Sequence, residues 1–263
     1  MLQKPLTIED FEMLNVLGRG SFGAVMMVRY KQDGRIFAIK ILKKSAMDAT
    51  DMQNAMEERQ ILQRVKHPYV SSLVFAFQTS ERLYLGMKFY AAGDLFYHLN
   101  QKGGGLPLAD ARLYAAELVL AISYLHSLNI LYRDLKHIQG TSHGVKTLSG
   151  TAEYVAPEAL VQTADGTRDY GKAYDWWSFG IVLSHPFFAS IQWTKLYQRQ
   201  VPAYWTPDLS SETDTKYVDP VFTKDGPPSA VYDVAASHGK KDWSKRFSQF
   251  SFDFHRDDNS SKK

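Results

Sequence analysis

Six residues near the start of the chain constrain it most. Gly18-Arg19-Gly20-Ser21-Phe22-Gly23 fits the pattern Gly-x-Gly-x-x-Gly, which occurs in two unrelated phosphate-binding arrangements. In a dinucleotide-binding unit the glycines lead straight into a helix, whose N-terminus takes the pyrophosphate. Here they lead into Ala24-Val25-Met26-Met27-Val28, a β-type run, so Phe11 to Arg29 reads as strand, glycine turn, strand. Two readings remain. Either a glycine-rich hairpin folds over phosphates, its backbone amides free to approach the ligand, or this is an ordinary hairpin loop. The pattern alone does not separate them.

The following residues continue in β fashion. Lys31-Gln32-Asp33-Gly34 is an Asp-Gly turn signal leading into Ile36-Phe37-Ala38-Ile39-Lys40. A lysine at a strand end is commonly just solvated. Asp51 to Val65 predicts a helix carrying Met56, Glu57, Glu58, Ile61 and Leu62, and either glutamate is free to face water. Val70 to Phe77 and Leu83 to Met87 predict two further strands, turning at Thr79-Ser80-Glu81. Five strands and one helix make a small β-rich lobe. Lys88-Phe89-Tyr90-Ala91-Ala92-Gly93 then reads as a connector whose backbone can bond an adenine edge. Beyond Pro107 a helix runs from about Leu108 to Ser127. Ala111, Tyr114, Ala115, Leu118, Ile122 and Leu125 recur along it at i+3/i+4, the mark of one buried stripe. His126 reads as a packed core histidine.

Length and composition exclude several classes. The 263 residues suit one large domain or two modest lobes, and 44% hydrophobic with 22% charged residues is globular composition. A net charge of +3 argues against a dedicated polyanion binder, so no nucleic-acid partner is expected. With no cysteine there is no disulfide, thiol nucleophile or thiolate metal site. The start, MLQKPLTIED, has no apolar core, and no run of 18 apolar residues occurs. The expectation is a protein with no membrane span, cytoplasmic, with the nucleus open as a second compartment.

The order of the parts is more specific than any one of them. After the glycines come Ala38-Ile39-Lys40, the helix glutamate Glu58, Tyr132-Arg133-Asp134-Leu135-Lys136, Ala156-Pro157-Glu158 and Asp175-Trp176-Trp177-Ser178-Phe179-Gly180. This set resembles the eukaryotic protein kinase superfamily. Tyrosine before Arg133 resembles the AGC serine/threonine kinases, and the overall look is closest to the protein kinase B and serum/glucocorticoid-regulated kinase branch. Lys146 to Tyr154 is similar to an AGC activation segment, with Thr147 at the phosphosite and Thr151 near the substrate hydroxyl. Asp214 to Thr223 and Phe247-Ser248-Gln249-Phe250-Ser251-Phe252 are similar to the AGC tail and its hydrophobic motif, with Ser251 the second phosphosite.

The resemblance implies an α+β, two-lobed kinase-like fold with ATP in its cleft. It spans residues 11–188, with a β-rich small lobe over 11–87 and a truncated, mainly helical large lobe over 89–188; an AGC-type C-terminal extension covers 189–263. By resemblance Asp134 is the catalytic base and Lys136 steadies the transferred phosphoryl group. Gly18, Gly20, Ser21, Phe22, Gly23, Val25, Ala38, Met87, Phe89, Tyr90 and Asp94 line the nucleotide. Lys40 holds the α- and β-phosphates, and Glu58 pairs with Lys40. Phe247 and Phe250 would dock beside the Glu58 helix, where a phosphate on Ser251, adding about −1.5 to −2 charge, strengthens docking if a basic partner is near. The implied partners are protein substrates with basic motifs and an upstream activating kinase that docks at 247–252. The implied cofactors are ATP and Mg²⁺.

Two stretches depart from the pattern. Between Lys136 and Thr147 stand ten residues, His137 to Lys146, where the family carries about two to three times as many, including a metal-binding asparagine and Asp-Phe-Gly. Gln139 falls in register with the asparagine, but no aspartate appears until Asp165. His137 and His143 read as solvated, so no metal ligand is assigned. Losing one preorganised electrostatic element costs about 10²–10³ in rate, and losing both metal ligands more. The second departure follows Leu183, where Ser184-His185-Pro186-Phe187-Phe188 comes at once. The intervening large-lobe helices are missing, which is expected to expose Trp176, Trp177 and the Leu118/Ile122 stripe and to destabilise that lobe. The function expected is therefore serine/threonine kinase by family, inactive or very weak as a chain. The alternatives are a nucleotide-binding pseudokinase or scaffold and a truncated product of a full kinase gene.

Overall fold

Five strands build one antiparallel sheet: β1 (Phe11–Gly20), β2 (Gly23–Tyr30), β3 (Ile36–Lys43), β4 (Leu73–Gln78) and β5 (Arg82–Lys88), ordered β1-β2-β3-β5-β4. The computed structural model describes residues 5–20, 22–101, 106–132, 172, 175–176, 186–203, 205–224, 247 and 250–252. The turn between β2 and β3 closes where the sequence predicts it, with Gly34 at φ 79° and Gly34 N–H bonded to Tyr30 O at 2.8 Å. Val70, expected to open β4, pairs instead with His67 in an isolated bridge, and the strand starts at Leu73.

Side-chain alternation divides this sheet into two chemically different faces. Phe37, Ile39 and Ile41 of β3 join Met26 and Val28 of β2, and Phe75 and Phe77 of β4, in an aromatic core with Phe11 and Tyr84. The register pairs Lys40 with Val25 and Leu85, and Ala38 with Met87. Those residues therefore project from the other face, together with Leu42. The helix α1 (Ala49–Arg64) covers part of it, burying Met52 and Ala55 beside Leu42, Leu83 and Leu85.

The chain divides into two compact units. One comprises Met1–Val65, Ser71–Gly93 and Pro207–Lys263; the other comprises Lys66–Val70 and Asp94–Thr206. The second is helical, with α2 (Leu95–Gln101), α3 (Leu108–Ser127), a 3₁₀ turn at Pro186–Phe188 and α4 (Trp193–Tyr197). A last short helix, α5 (Pro220–Thr223), belongs to the first unit. It is capped by Asp219, and its Phe222 packs on the aromatic core.

α3 has the predicted bounds and part of the predicted buried stripe: Ile122 and Leu125 are buried, Ala111, Tyr114 and Ala115 half-buried. Its buried residues are Leu113, Ala116, Val119, Ala121, Ile122, Leu125 and His126, while Leu118 is exposed. The helix is apolar around most of its circumference, so periodicity alone does not select the side that packs. Phe188 and Leu196, from the segment after the second departure, close over Leu113, Ala116 and Val119, and Trp176 packs against the same cluster. Of the residues expected to be uncovered, Ile122 is buried, Trp176 is half-buried and Leu118 is open to solvent; Trp177 lies outside the described residues.

Candidate functional site

Lys40 stands on the sheet face that carries Val25, Ala38 and Met87, and it is paired. Its Nζ lies 2.8 Å from Glu58 Oε1 and 3.0 Å from Glu58 Oε2, with the lysine side chain only 14% exposed. Glu58 reaches it because α1 starts in a fixed place. Asp48 caps the helix, accepting from Thr50 N at 2.7 Å and Asp51 N at 2.8 Å, while Asp51 reaches back to Asp48 N at 3.0 Å. Such caps contribute about 1 kcal/mol and set the helix register. With both carboxylate oxygens on one ammonium, the lysine is held extended across the face rather than free in solvent.

The glycine segment is a hairpin in which Gly20 pairs with Gly23, Arg19 with Ala24 and Gly18 with Val25. Its glycines differ in what they require. A Cβ at Gly23 would strike the backbone of Ile41, so that glycine is needed for strand packing. Gly18 and Gly20 have no atom within 4 Å of where a Cβ would stand. Packing does not demand glycine at those two positions, and the space beside their amides is open to a ligand. Phe22 is half-buried beside the α1 cluster, and Ser21 lies outside the described residues.

β5 ends in the expected connector. Phe89 is half-buried, Tyr90 is exposed, and Gly93 turns the chain at φ 69° with Tyr217 O where a Cβ would sit. Residues around Tyr217 thus pack against the connector. Asp94 opens α2 in the second unit; its Oδ1 accepts from Tyr97 N at 2.6 Å, so this carboxylate also serves as a helix cap.

Against α1 lies a segment from the far end of the chain. Phe247 and Phe250 are fully buried among Leu42, Met47, Met52, Ala55 and Leu85, their rings edge to face with centroids 6.0 Å apart. Arg59 Nε donates to Phe250 O at 3.0 Å, and Gln78 Nε2 donates to Phe247 O at 2.5 Å. Phe252 bridges the edge strand β4, exchanging two 2.7 Å backbone bonds with Ala76. Lys44 Nζ stands 5.0 Å from the Phe247 ring centroid. Ser251 is exposed, with its carbonyl 3.5 Å from Arg59 Nη2.

In the second unit, the start of the Tyr132–Lys136 stretch is tethered by a residue to which the sequence assigned no role. Asp175 is fully buried, and its Oδ2 accepts from Tyr132 N at 2.8 Å and lies 2.7 Å from His126 Nε2. The His126 ring also meets Trp176 edge to face at 5.3 Å. The signal was the Asp175-Trp176 motif itself, which spacing alone could not connect to Tyr132. Asp134, Lys136 and Thr147 lie outside the described residues. Among the described residues, no group of three or more His, Asp or Glu side chains could hold a metal ion, and no helix is long and apolar enough to cross a membrane.

A family model for the protein kinase domain matches residues 11–251. The RAC family serine/threonine-protein kinase homolog of Dictyostelium discoideum is 32% identical over 303 aligned residues, covering 84% of this chain and 67% of its own length. RAC-beta serine/threonine-protein kinase A of Xenopus laevis is 31% identical over 337, covering 94% and 68%. Serine/threonine-protein kinase Sgk3 of Rattus norvegicus is 30% identical over 308, covering 84% and 61%. The chain thus spans about two thirds of the length of these relatives. Each alignment is also longer than the chain's own 263 residues, so each relative carries residues opposite gaps in this one.

Proposed function

The chain belongs to the protein kinase family, whose members use ATP with Mg²⁺, and on that premise we propose that it binds ATP on its first unit but transfers phosphate to protein serine or threonine hydroxyls slowly or not at all. The observation that carries the binding half is the Lys40–Glu58 pair, with Nζ held at 2.8 and 3.0 Å from the two carboxylate oxygens. The open space at Gly18 and Gly20 supports it. Backbone amides of the Gly18–Gly23 hairpin and Lys40 Nζ take the phosphates. Val25, Ala38 and Met87 offer the apolar face for the base, and the Phe89–Tyr90 backbone its polar edge. Bound ATP supplies the phosphoryl group; Asp134 takes the hydroxyl proton and Lys136 neutralises charge on the moving group.

The transfer half is weak because the residues after Lys136 offer a metal ion little to hold it. Gln139 is neutral, no aspartate stands between Asp134 and Asp165, and a divalent ion left with phosphate oxygens and water is poorly held. In this reading the 247–252 segment docks an upstream kinase, Thr147 and Ser251 are the phosphosites, and substrates carry basic motifs.

Thermal denaturation of the full chain with ATP tests the binding half. ATP is expected to raise the melting temperature of wild type and not of Lys40→Ala. For the transfer half, labelled ATP, Mg²⁺ and an arginine-rich peptide are expected to yield no transfer that Asp134→Asn abolishes. Turnover near the usual kinase range of about 1–100 s⁻¹, lost in Asp134→Asn, would overturn it. Alignments longer than the chain favour a second reading, a shortened product of a gene that encodes a complete kinase. Sequencing the transcript decides this: a message with the missing blocks supports it, and a message matching these 263 residues sinks it.

A further inference from the structure

The second unit contains a cavity of about 360 Å³ between the N-terminal half of α3 and the chain around α4. That is within the size range of small-ligand sites, roughly 300–1,000 Å³. Its charge is one-sided. Arg112 and Lys195 line it, no carboxylate does, and Ser190, Gln192 and Gln200 add neutral hydrogen-bonding groups. The rest of the wall is apolar, with Leu113, Ile191 and Val201 among it. None of these residues belongs to the nucleotide-binding face or to the tail-docking surface of α1.

Arg112 is held in place but not satisfied. Its guanidinium carbon lies 5.3 Å from the Phe187 ring centroid, and Nη1 donates to Ser190 Oγ at 3.1 Å. Nε is buried with no hydrogen-bond partner. Among the described residues neither Arg112 nor Lys195 has a carboxylate within ion-pair distance. A guanidinium held by a ring and a hydroxyl beside an apolar wall, with no described carboxylate paired to it, suits an oxyanion.

We propose that this cavity binds an organic anion, an oxyanion head of carboxylate or phosphate-ester type on a short apolar body. Arg112 and Lys195 take the head, Ser190 and the two glutamines orient it, and Leu113, Ile191 and Val201 hold the body. An inorganic anion leaves the apolar wall empty, and a neutral amphiphile leaves both cations unpaired.

Titration calorimetry on the full chain with octanoate, octyl phosphate and octanol tests this. Binding of octanoate or octyl phosphate is expected, and which of the two binds identifies the head. Octanol is expected to bind at least about tenfold more weakly, the size of effect expected for a lost charged hydrogen bond. Lys195 is exposed, so Lys195→Gln should fold and weaken the anion by about the same factor; Arg112→Lys, which keeps the charge, should weaken it less than Arg112→Gln. Equal affinity for octanol, no binding of either anion, or an unchanged affinity in Lys195→Gln would overturn the proposal.

Discussion

Arg59 donates its Nε–H to the carbonyl of Phe250 at 3.0 Å, one residue along α1 from Glu58, whose carboxylate holds Lys40 Nζ at 2.8 Å. One short stretch of helix therefore touches both the end of the chain and the lysine on the open face of the sheet. The buried face of α1 is completed by Phe247 and Phe250, so the position of Glu58 depends on residues nearly two hundred places away.

Removal of the second phenylalanine should show this dependence. Phe250→Ala empties a fully buried site and is expected to cost the first unit about 3–5 kcal/mol. Urea denaturation measures that cost, and the thermal shift produced by ATP should shrink with it. A variant that loses stability while keeping the full ATP shift would uncouple the tail from Glu58.

Gly93 is the next pressure point. Its φ of 69° and the Tyr217 carbonyl in its Cβ position give two reasons why no side chain fits. Gly93→Ala is expected to destabilise by about 1 kcal/mol or more and to loosen the packed segment around Tyr217. Limited proteolysis should then cut within 207–224 sooner than in wild type; an unchanged cleavage pattern would count against the contact.

Asp175 accepts from Tyr132 N and bonds His126 Nε2 with the same oxygen. Asp175→Ala strands the buried His126 Nε2, at about 1–3 kcal/mol, and removes one acceptor from the part-buried Tyr132 N–H. The prediction is a lower denaturation midpoint together with faster amide exchange at Tyr132. Protection at that amide equal to wild type would show that Asp175 does not tether the loop.

pH dependence is expected at Glu117 in the second unit. Burial pushes its carboxyl above the ordinary 4.5, and Arg199 offsets this only in part. With the folded value raised, the favourable contribution is complete below 4.5 and is lost as pH rises through the folded value. Glu117→Gln, which never ionises, should melt higher than wild type at neutral pH, with the gap closing as pH falls toward 4.5. A gap of constant size across that range would refute the assignment.

Local patterns were enough for the sheet, its turns and the helices 49–64 and 108–127, because alternation, Asp-Gly turns and capping residues act within a few positions of themselves. The glycine hairpin and the choice against a helix after it follow from the β-branched and long apolar residues at 24–28. What the sequence could not decide were the choices among equivalent local options. Local pattern does not choose between the adjacent Glu57 and Glu58; the family resemblance named Glu58, and the docking of α1 on the sheet is what turns it to Lys40. α3 is apolar on several sides, and the return of Phe188 and Leu196 selected the face to be buried. Asp175 and Tyr132 are 43 residues apart, and no periodicity links them. Short-range physics determined the elements of this chain; long-range packing decided which side chains among them meet.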